Sequence, residues 1–454
     1  MSITHTAVVN APLDEVFAWH ERPGALHRLL PPWQPMRAIR EAESLADGRA
    51  VLGLPGGLRW PAQHRRADFD PPNRFVDERI VAGAASLPPA LAGRWIHDHR
   101  FAAESPDSTR ITDHVDTLVP GALLRSTFHY RHRQLLDDLS AHRAAREAGL
   151  TPSVIAVTGA SGMVGTQLCA FLTTGGHRVI RLVRRNANGP DERTWDPDAP
   201  APDLLDGVDA VIHLAGAPIA GRFTARHKST VRDSRVGPTR RLAELAARTR
   251  VGPTVFISAS AIGVYGHARP GETLDESASP GDDFLAGVVR DWEDATAPAA
   301  AAAIRTVQVR TGIVQSPRGG TLQIQRPLFT AGLGGRLGSG AQALSWIDLD
   351  DLIDVYHRAL YDPTLTGPVN ATAPNPVTGS EYAATLAAVL HRPALLPTPA
   401  IGPQLILGRE GARELALADQ RVAPEVLSRR DHRFRRPSLE DCLRHQLGRT
   451  RAAD

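Results

Sequence analysis

Hydrophobic patterning changes character near residue 150. Before it, short segments alternate apolar and polar residues with period two: THTAVVNA (4–11), RFVDERIVAG (74–83), WIHDHRFAAE (95–104) and TRITDHVDTLV (109–119). Pro, Gly or Asp separates them, as between antiparallel strands. An early helix is predicted over 14–20. A long one lies within RSTFHYRHRQLLDDLSAHRAAREAGL (125–150), with Phe128, Leu135, Leu136 and Leu139 on one face. Residues 1–146 therefore read as an α+β domain. From Pro152 the pattern becomes apolar strand, glycine turn, helix, strand, repeated. SVIAVTG, HRVIRLVRR, VDAVIHLAG, TVFISASA and RTVQVRTGIV are the strands, and runs such as TRRLAELAARTR lie between them. Continuous apolar strands alternating with helices predict a parallel sheet covered on both faces, an α/β Rossmann arrangement over 153–365. A Pro-rich stretch with one clear helix opens a smaller C-terminal lobe, 366–450.

Composition narrows the partners. Apolar residues make up 42% and charged residues 22%, ordinary for a globular protein, and the formal net charge is only +3. No dense basic tract with aromatics appears, so nucleic acid is not implied; the Arg-rich SRRDHRFRR reads as a solvated surface. No apolar run approaches a membrane span, and the first residues lack a secretory pattern. Two cysteines far apart, Cys169 and Cys442, exclude a disulfide framework, and a cytoplasmic location is expected.

The chemistry concentrates in VTGASGMVG (157–165), which sits between a predicted strand and helix. There Gly159 permits a tight turn, Gly162 lets backbone approach a pyrophosphate, and Gly165 lets helix pack on strand. The helix N-terminus adds free N–H groups and partial positive charge. The next strand ends in Val183-Arg184-Arg185 with no acid to hold a ribose 2′-OH. Two guanidiniums match a 2′-phosphate in charge and fork geometry, which favours NADP(H), with NAD(H) second.

The G-x-x-G-x-x-G spacing resembles the extended short-chain dehydrogenase/reductases. Further stretches resemble their atypical, sugar-nucleotide-epimerase-like subfamily: VIHLAGAPIAGRFTARHKSTVRDSRVGPTR, ISASAIGVYG, DDFLAGVVRDWE, LSWIDLDDLIDVYHRAL and GPVNATAPNPVTGSEY. HRPALLPTPA, ILGREGARELALADQRVAPEVL and RFRRPSLEDCL resemble that subfamily's C-terminal domain of unknown function. The first domain, with VVNAPLDEVFAWHERPGALHRLLPPW, WIHDHRF and FHYRHRQLLDDL, is similar to the polyketide-cyclase/START-like helix-grip superfamily, which implies an apolar cavity holding an apolar ligand. The resemblance implies that Gly159, Ser161, Gly162, Met163 and Val164 form the phosphate loop and that Arg184, with Arg185 beside it, meets the adenosine phosphate. It places Leu214, Ala215 and Gly216 along the cofactor and Ser258 to Ser260 at its nicotinamide end.

One part of the family pattern fails. The proton-transferring Tyr and Lys, four apart, are expected in PGDDFLAGVVRDWE, where Phe284 and Val288 stand. Counting back from VYG without a gap puts Ala261 at the family's catalytic Ser/Thr position; one inserted residue puts Ser260 there. Ser260 and Tyr265 are the catalytic candidates, with Tyr265 also readable as a cleft wall and His213 as a strand-end residue. Glu276 and Arg336 are the substrate-side candidates, with Asp283 near them. Asp348, Asp350 and Asp351 read as a helix start. His97 and His99 share a strand face, but with no third ligand in view they read as a polar face, and no metal is expected. Two functions follow. The first is an NAD(P)-binding epimerase or reductase acting on a sugar nucleotide or other small hydroxyl or carbonyl substrate. The second is a non-catalytic sensor of dinucleotide and hydrophobic ligand.

Overall fold

A computed structural model describes residues 2–91, 93–394, 397 and 401–450. It forms two compact units. The first comprises residues up to Glu147, Gln167–Gly176 and the chain end from His445; the second comprises Ala148–Thr166 and His177–Arg444.

In the first unit, seven strands make one antiparallel sheet. They are β1 (Ser2–Val9), β2 (Arg37–Arg40), β3 (Arg49–Gly53), β4 (Arg59–His64), β5 (Arg74–Arg79), β6 (Trp95–Ser105) and β7 (Ser108–Thr117). Their order is β1-β7-β6-β5-β4-β3-β2, a meander closed by pairing the first strand with the last. Period-two alternation buries Thr109, Ile111, Asp113, Val115 and Thr117 of β7 on one face. The predicted short helix is Leu13–Glu21, and its Val16, Phe17 and Trp19 join Phe75, Phe101, Ile111, Leu135 and Leu139 in the core. The 27-residue helix Gly121–Glu147 follows β7. Phe128, Leu135 and Leu139 of its predicted stripe are buried, but Leu136 is 36% exposed. A histidine, His132, takes the fourth buried position, because 128, 132, 135 and 139 follow the 3.6-residue period.

In the second unit, β8 (Val154–Thr158), β9 (Arg178–Val183), β10 (Glu192–Thr194), β11 (Ala210–His213) and β12 (Val255–Ala261) run parallel in the order β10-β9-β8-β11-β12. The strands Arg305–Thr311 and Gly367–Ala371 continue the sheet beyond β12. This is the Rossmann-type parallel sheet the sequence predicts. Ile180, Leu182, Val211, Leu242 and Phe256 pack its core. Strand order reverses at β8, so a crevice opens at the carboxyl ends of β8 and β11, where such sheets bind ligands. The separate lobe expected from residue 366 starts differently: its first strand, Gly367–Ala371, completes this sheet. Residues through Arg444 stay in the second unit. Residues 395, 396 and 398–400 of HRPALLPTPA lie outside the described residues. No described helix is long and apolar enough to cross a membrane.

Candidate functional site

The glycine turn leaves β8 and enters the helix Met163–Thr174. Gly159 has φ 66°, and a Cβ there would sit 2.9 Å from the backbone carbon of Leu214. A Cβ on Gly165 would fall 2.2 Å from the Gly159 carbonyl oxygen and 2.8 Å from Ala160 Cα. Gly162 is different: a Cβ would meet only the Gly159 oxygen, at 3.3 Å, and the residue is exposed beside exposed Ser161. Two glycines thus fit the turn together, and the third keeps a face open. Met163 and Val164 follow, half-buried, with Met163 reaching the loop at Gly319. A nucleotide pyrophosphate fits such a cradle, since first-turn amides lack intrahelical partners.

The wall opposite is fixed by one hydroxyl. Thr158 Oγ1 accepts the amides of Leu214 (3.0 Å) and Ala215 (3.1 Å), so its own proton goes to His213 Nδ1 at 2.8 Å. His213 is sealed, and burial lowers its pKa to about 4. It is a neutral anchor of the β8–β11 edge. Leu214 and Ala215 are half-buried and Gly216 is exposed.

At the end of β9 the two arginines part company. Arg185 is clamped by Glu192, with Nη1 and Nη2 each 2.7 Å from a carboxylate oxygen. Arg184 is exposed and has no hydrogen bond or ion pair among the described residues. Of the two guanidiniums, Arg185 is engaged and Arg184 is left to solvent.

At the end of β12 lies a buried polar network. Ser258 is buried and donates to the Ala259 carbonyl at 3.0 Å. Ser260 stands opposite Arg310 in register and donates to Glu293 Oε1 at 2.5 Å. Arg310 grips both Glu293 oxygens at 2.8 Å. Its remaining Nη1 donates to the Tyr265 phenol at 3.0 Å, and that phenol donates to Asn370 Oδ1 at 2.7 Å. Burial would lower the Arg310 pKa, but Glu293 outweighs it and raises it. Burial raises the Tyr265 pKa against the pull of Arg310 and Asn370. Tyr265 has no exposed surface. The phenol suggested as a proton donor is thus spent on Asn370 and Arg310, and its geometry is that of a positioning residue. Glu276, placed on the substrate side by sequence, accepts the amides of Asn370 (2.9 Å) and Val426 (3.2 Å). Burial raises its pKa all the same.

Other acids are structural. Asp283 caps the helix Phe284–Asp294 through the Ala286 amide at 2.9 Å and holds His267 Nδ1 at 2.8 Å. Asp348 caps Leu349–Tyr361 through the Asp350 amide, and Asp351 accepts the amide of Arg436 at 3.1 Å. Arg336 is exposed and without a partner among the described residues, and nothing links it to the other candidates.

Two features escaped the sequence reading. Lys228, the one lysine of the sequence, sits with Nζ 4.4 Å from the Phe284 ring centre and 2.6 Å from Glu410 Oε1. A cation thus reaches the aromatic ring at the family's tyrosine position from a different element; the singular lysine was the signal. Because this pair is a quarter to a third exposed, Lys228→Met is expected to cost under about 1 kcal/mol in a thermal melt. A larger loss would show a structural role. The second feature is Asp77, which pairs directly across from His97 and places a third candidate donor beside His97 and His99. Cross-strand register, invisible in one strand's sequence, brought it there.

Known proteins resemble this chain. The model of the NAD dependent epimerase/dehydratase family matches residues 155–370, and that of a domain of unknown function, DUF1731, matches 398–446. The "Epimerase family protein Mb2239" of Mycobacterium bovis is 40% identical over 294 residues, 64% of this chain and 96% of the relative. The chloroplastic SDR39U1 homolog of Arabidopsis thaliana is 35% identical, over 64% of this chain and 85% of its own. A crystal structure described as the nucleoside-diphosphate sugar epimerase from Corynebacterium glutamicum aligns with TM-score 0.87 at 42% identity, covering 100% of this chain and 91% of that one. Human SDR39U1 (isoform 2) with NADPH aligns with TM-score 0.58 at 30% identity, covering 65% and 99%.

Proposed function

Because the chain belongs to the NAD-dependent epimerase/dehydratase family, we propose that it binds NADP(H) in preference to NAD(H) and acts on a sugar nucleotide or another small hydroxyl or carbonyl substrate. The observation that carries the reading is the open glycine cradle with unpaired Arg184 at the next strand end. Two named neighbours support it: the human relative described with NADPH, and the Corynebacterium protein described as a nucleoside-diphosphate sugar epimerase. The nicotinamide supplies reversible hydride acceptance when bound. Gly159, Ser161, Gly162, Met163 and Val164 hold the phosphates, and Leu214, Ala215, Gly216 and Ser258 line the cofactor. Ser260, backed by Glu293 at 2.5 Å, holds the proton that a Tyr–Lys pair would otherwise carry. Arg310, itself hydrogen-bonded to Tyr265, holds Glu293 in place. Arg336 is free to meet an anionic substrate group.

Arg184→Ala is expected to weaken NADPH roughly ten- to hundredfold, the worth of a charged hydrogen bond of about 1.5–3 kcal/mol, and to leave NADH unchanged. Paired titrations check this, and equal loss for both cofactors would remove the phosphate role. The function itself is tested by incubating the protein with NADP(H) and a panel of sugar nucleotides and carbonyl compounds, following absorbance and product stereochemistry. Turnover lost in Ser260→Ala but kept in Arg336→Ala would retain Ser260 and remove Arg336 from the site.

The second reading, a non-catalytic sensor, is favoured by one observation: Phe284 and Val288 occupy the proton-transfer positions and Tyr265 is sealed. Tight NADPH binding with no turnover across the panel would select it. We read the first unit as a helix-grip domain; the antiparallel seven-stranded sheet and the 27-residue helix support this. Its inner residues mix Phe75, Phe101 and Ile111 with His97, His99 and Asp113, so a ligand held there meets polar as well as apolar groups. Cys169 and Cys442 are not joined in a disulfide, which fits a reducing compartment such as the cytoplasm.

A further inference from the structure

The first unit carries a histidine–aspartate checkerboard on the buried side of its sheet. Register sets it. Asp77 of β5 lies across from His97 of β6 and, on its other side, from His64 of β4. One row along, His99 of β6 lies across from Asp113 of β7, which lies across from His5 of β1. The period of two points all these positions to one face. His64, His97, His99 and Asp113 are each more than nine-tenths buried.

The hydrogen bonds impose a direction on this cluster. Asp113 Oδ1 lies 2.9 Å from His97 Nε2 and 2.8 Å from His99 Nδ1, and its Oδ2 lies 2.5 Å from His132 Nε2. A carboxylate only accepts, so the ring protons of His97 and His99 sit on the nitrogens facing Asp113. The nitrogens turned away from Asp113 are His97 Nδ1 and His99 Nε2. Both face Asp77 Oδ2, at 3.7 and 3.4 Å. His99 Nε2 lies within hydrogen-bond reach of Asp77 Oδ2, and a metal ion taken up by these three atoms would displace the proton held between them. The three donor atoms lie within 4.8 Å of one another. Two ligands each about 2.0–2.1 Å from a tetrahedral zinc ion are about 3.4 Å apart, close to the 3.4 and 3.7 Å that separate Asp77 Oδ2 from the two imidazole nitrogens. Asp113 behind both imidazoles is the outer-shell carboxylate that metal-binding histidines use to fix their tautomer. Beside Asp77, the Nδ1 of His64 is buried with no hydrogen-bond partner. A lost hydrogen bond of this kind costs about 1–3 kcal/mol, a second sign that a cation with its bound water belongs here.

We propose that Asp77, His97 and His99 form a binding site for a divalent transition-metal ion of the zinc class, with Asp113 orienting both imidazoles. Two imidazoles and one carboxylate suit zinc and its first-row neighbours rather than calcium or magnesium. Three protein donors leave a fourth position for water or an anionic oxygen, the arrangement of an open site. The site stands apart from the dinucleotide reading of the second unit, and neither depends on the other.

The test uses the full chain, stripped with a chelator, dialysed, and titrated with zinc against a competing indicator; cobalt serves as a spectroscopic probe. The expected result is one equivalent of zinc and the visible bands of four-coordinate cobalt. Asp77→Asn, which keeps the side-chain shape, lowers zinc affinity at least tenfold, and Asp113→Asn lowers it about 10–100-fold. His114→Ala, whose ring bonds Thr4 at a more exposed position, leaves it unchanged. A thermal melt of each metal-free variant separates lost binding from lost fold. Failure of the folded, stripped chain to take up zinc overturns the proposal. So does stoichiometric uptake that persists in the His97→Ala/His99→Ala double variant.

Discussion

Replacing Arg310 with Met is expected to destabilise the second unit by about 3–5 kcal/mol, because it leaves the Glu293 carboxylate without its partner in the interior. Arg310 and Glu293 are 9% and 14% exposed and share two hydrogen bonds of 2.8 Å. The same change strips a donor from the Tyr265 phenol. The melting temperature should fall on the order of 10 °C. A paired change, Arg310→Met with Glu293→Leu, removes both charges and should recover most of the loss, since apolar replacement of a buried pair is close to neutral. If the single and double variants melt alike, charge pairing is not what holds this edge. Ser260 loses its acceptor in the double variant, so turnover should stay low while stability returns. That split separates the network's structural part from its chemical one.

Gly165→Ala is expected to be nearly as damaging as Gly165→Val. The obstruction is the first carbon of any side chain: it would fall 2.2 Å from the Gly159 oxygen and 2.8 Å from Ala160 Cα, both backbone atoms that cannot rotate away. Overpacking of this kind costs about 1–3 kcal/mol or more, and here the shift falls on the phosphate loop. NADPH affinity should drop at least tenfold, with a lowered melting temperature in the absence of ligand. Wild-type affinity in Gly165→Ala would show that the close approach of helix and strand is not required.

Much of the second unit could be read directly, because its strands are continuous apolar runs and its glycines serve covalent-scale geometry. The turn needs Gly159 at positive φ whatever surrounds it. What the sequence hid depends on partners distant along the chain. Arg184 and Arg185 look equivalent until Glu192 is seen to occupy one of them. Tyr265 looks available until Arg310 and Asn370 are found on its oxygen. Strands β2 to β4 escaped notice because β2 has only Ala38 half-buried among exposed residues, so pairing rather than pattern defines it. The long helix misled at Leu136 because one apolar residue beside the stripe looks like part of it, while His132 inside the stripe does not. His97 and His99 were visible as a pair, but Asp77 and Asp113 join them only through strand register.

The account rests on linked phosphates lying against the open face of the glycine turn. Calorimetric titration of NADPH into the wild-type protein and into Gly162→Ala tests this most directly, because a Cβ there meets one atom, the Gly159 oxygen at 3.3 Å, and should lower the unliganded melt far less than Gly165→Ala does. The predicted result is saturable binding to the wild type and at least a tenfold loss in the variant, which stays folded in the unliganded melt. Equal NADPH affinity in the two proteins, or no association with the wild type, would contradict it.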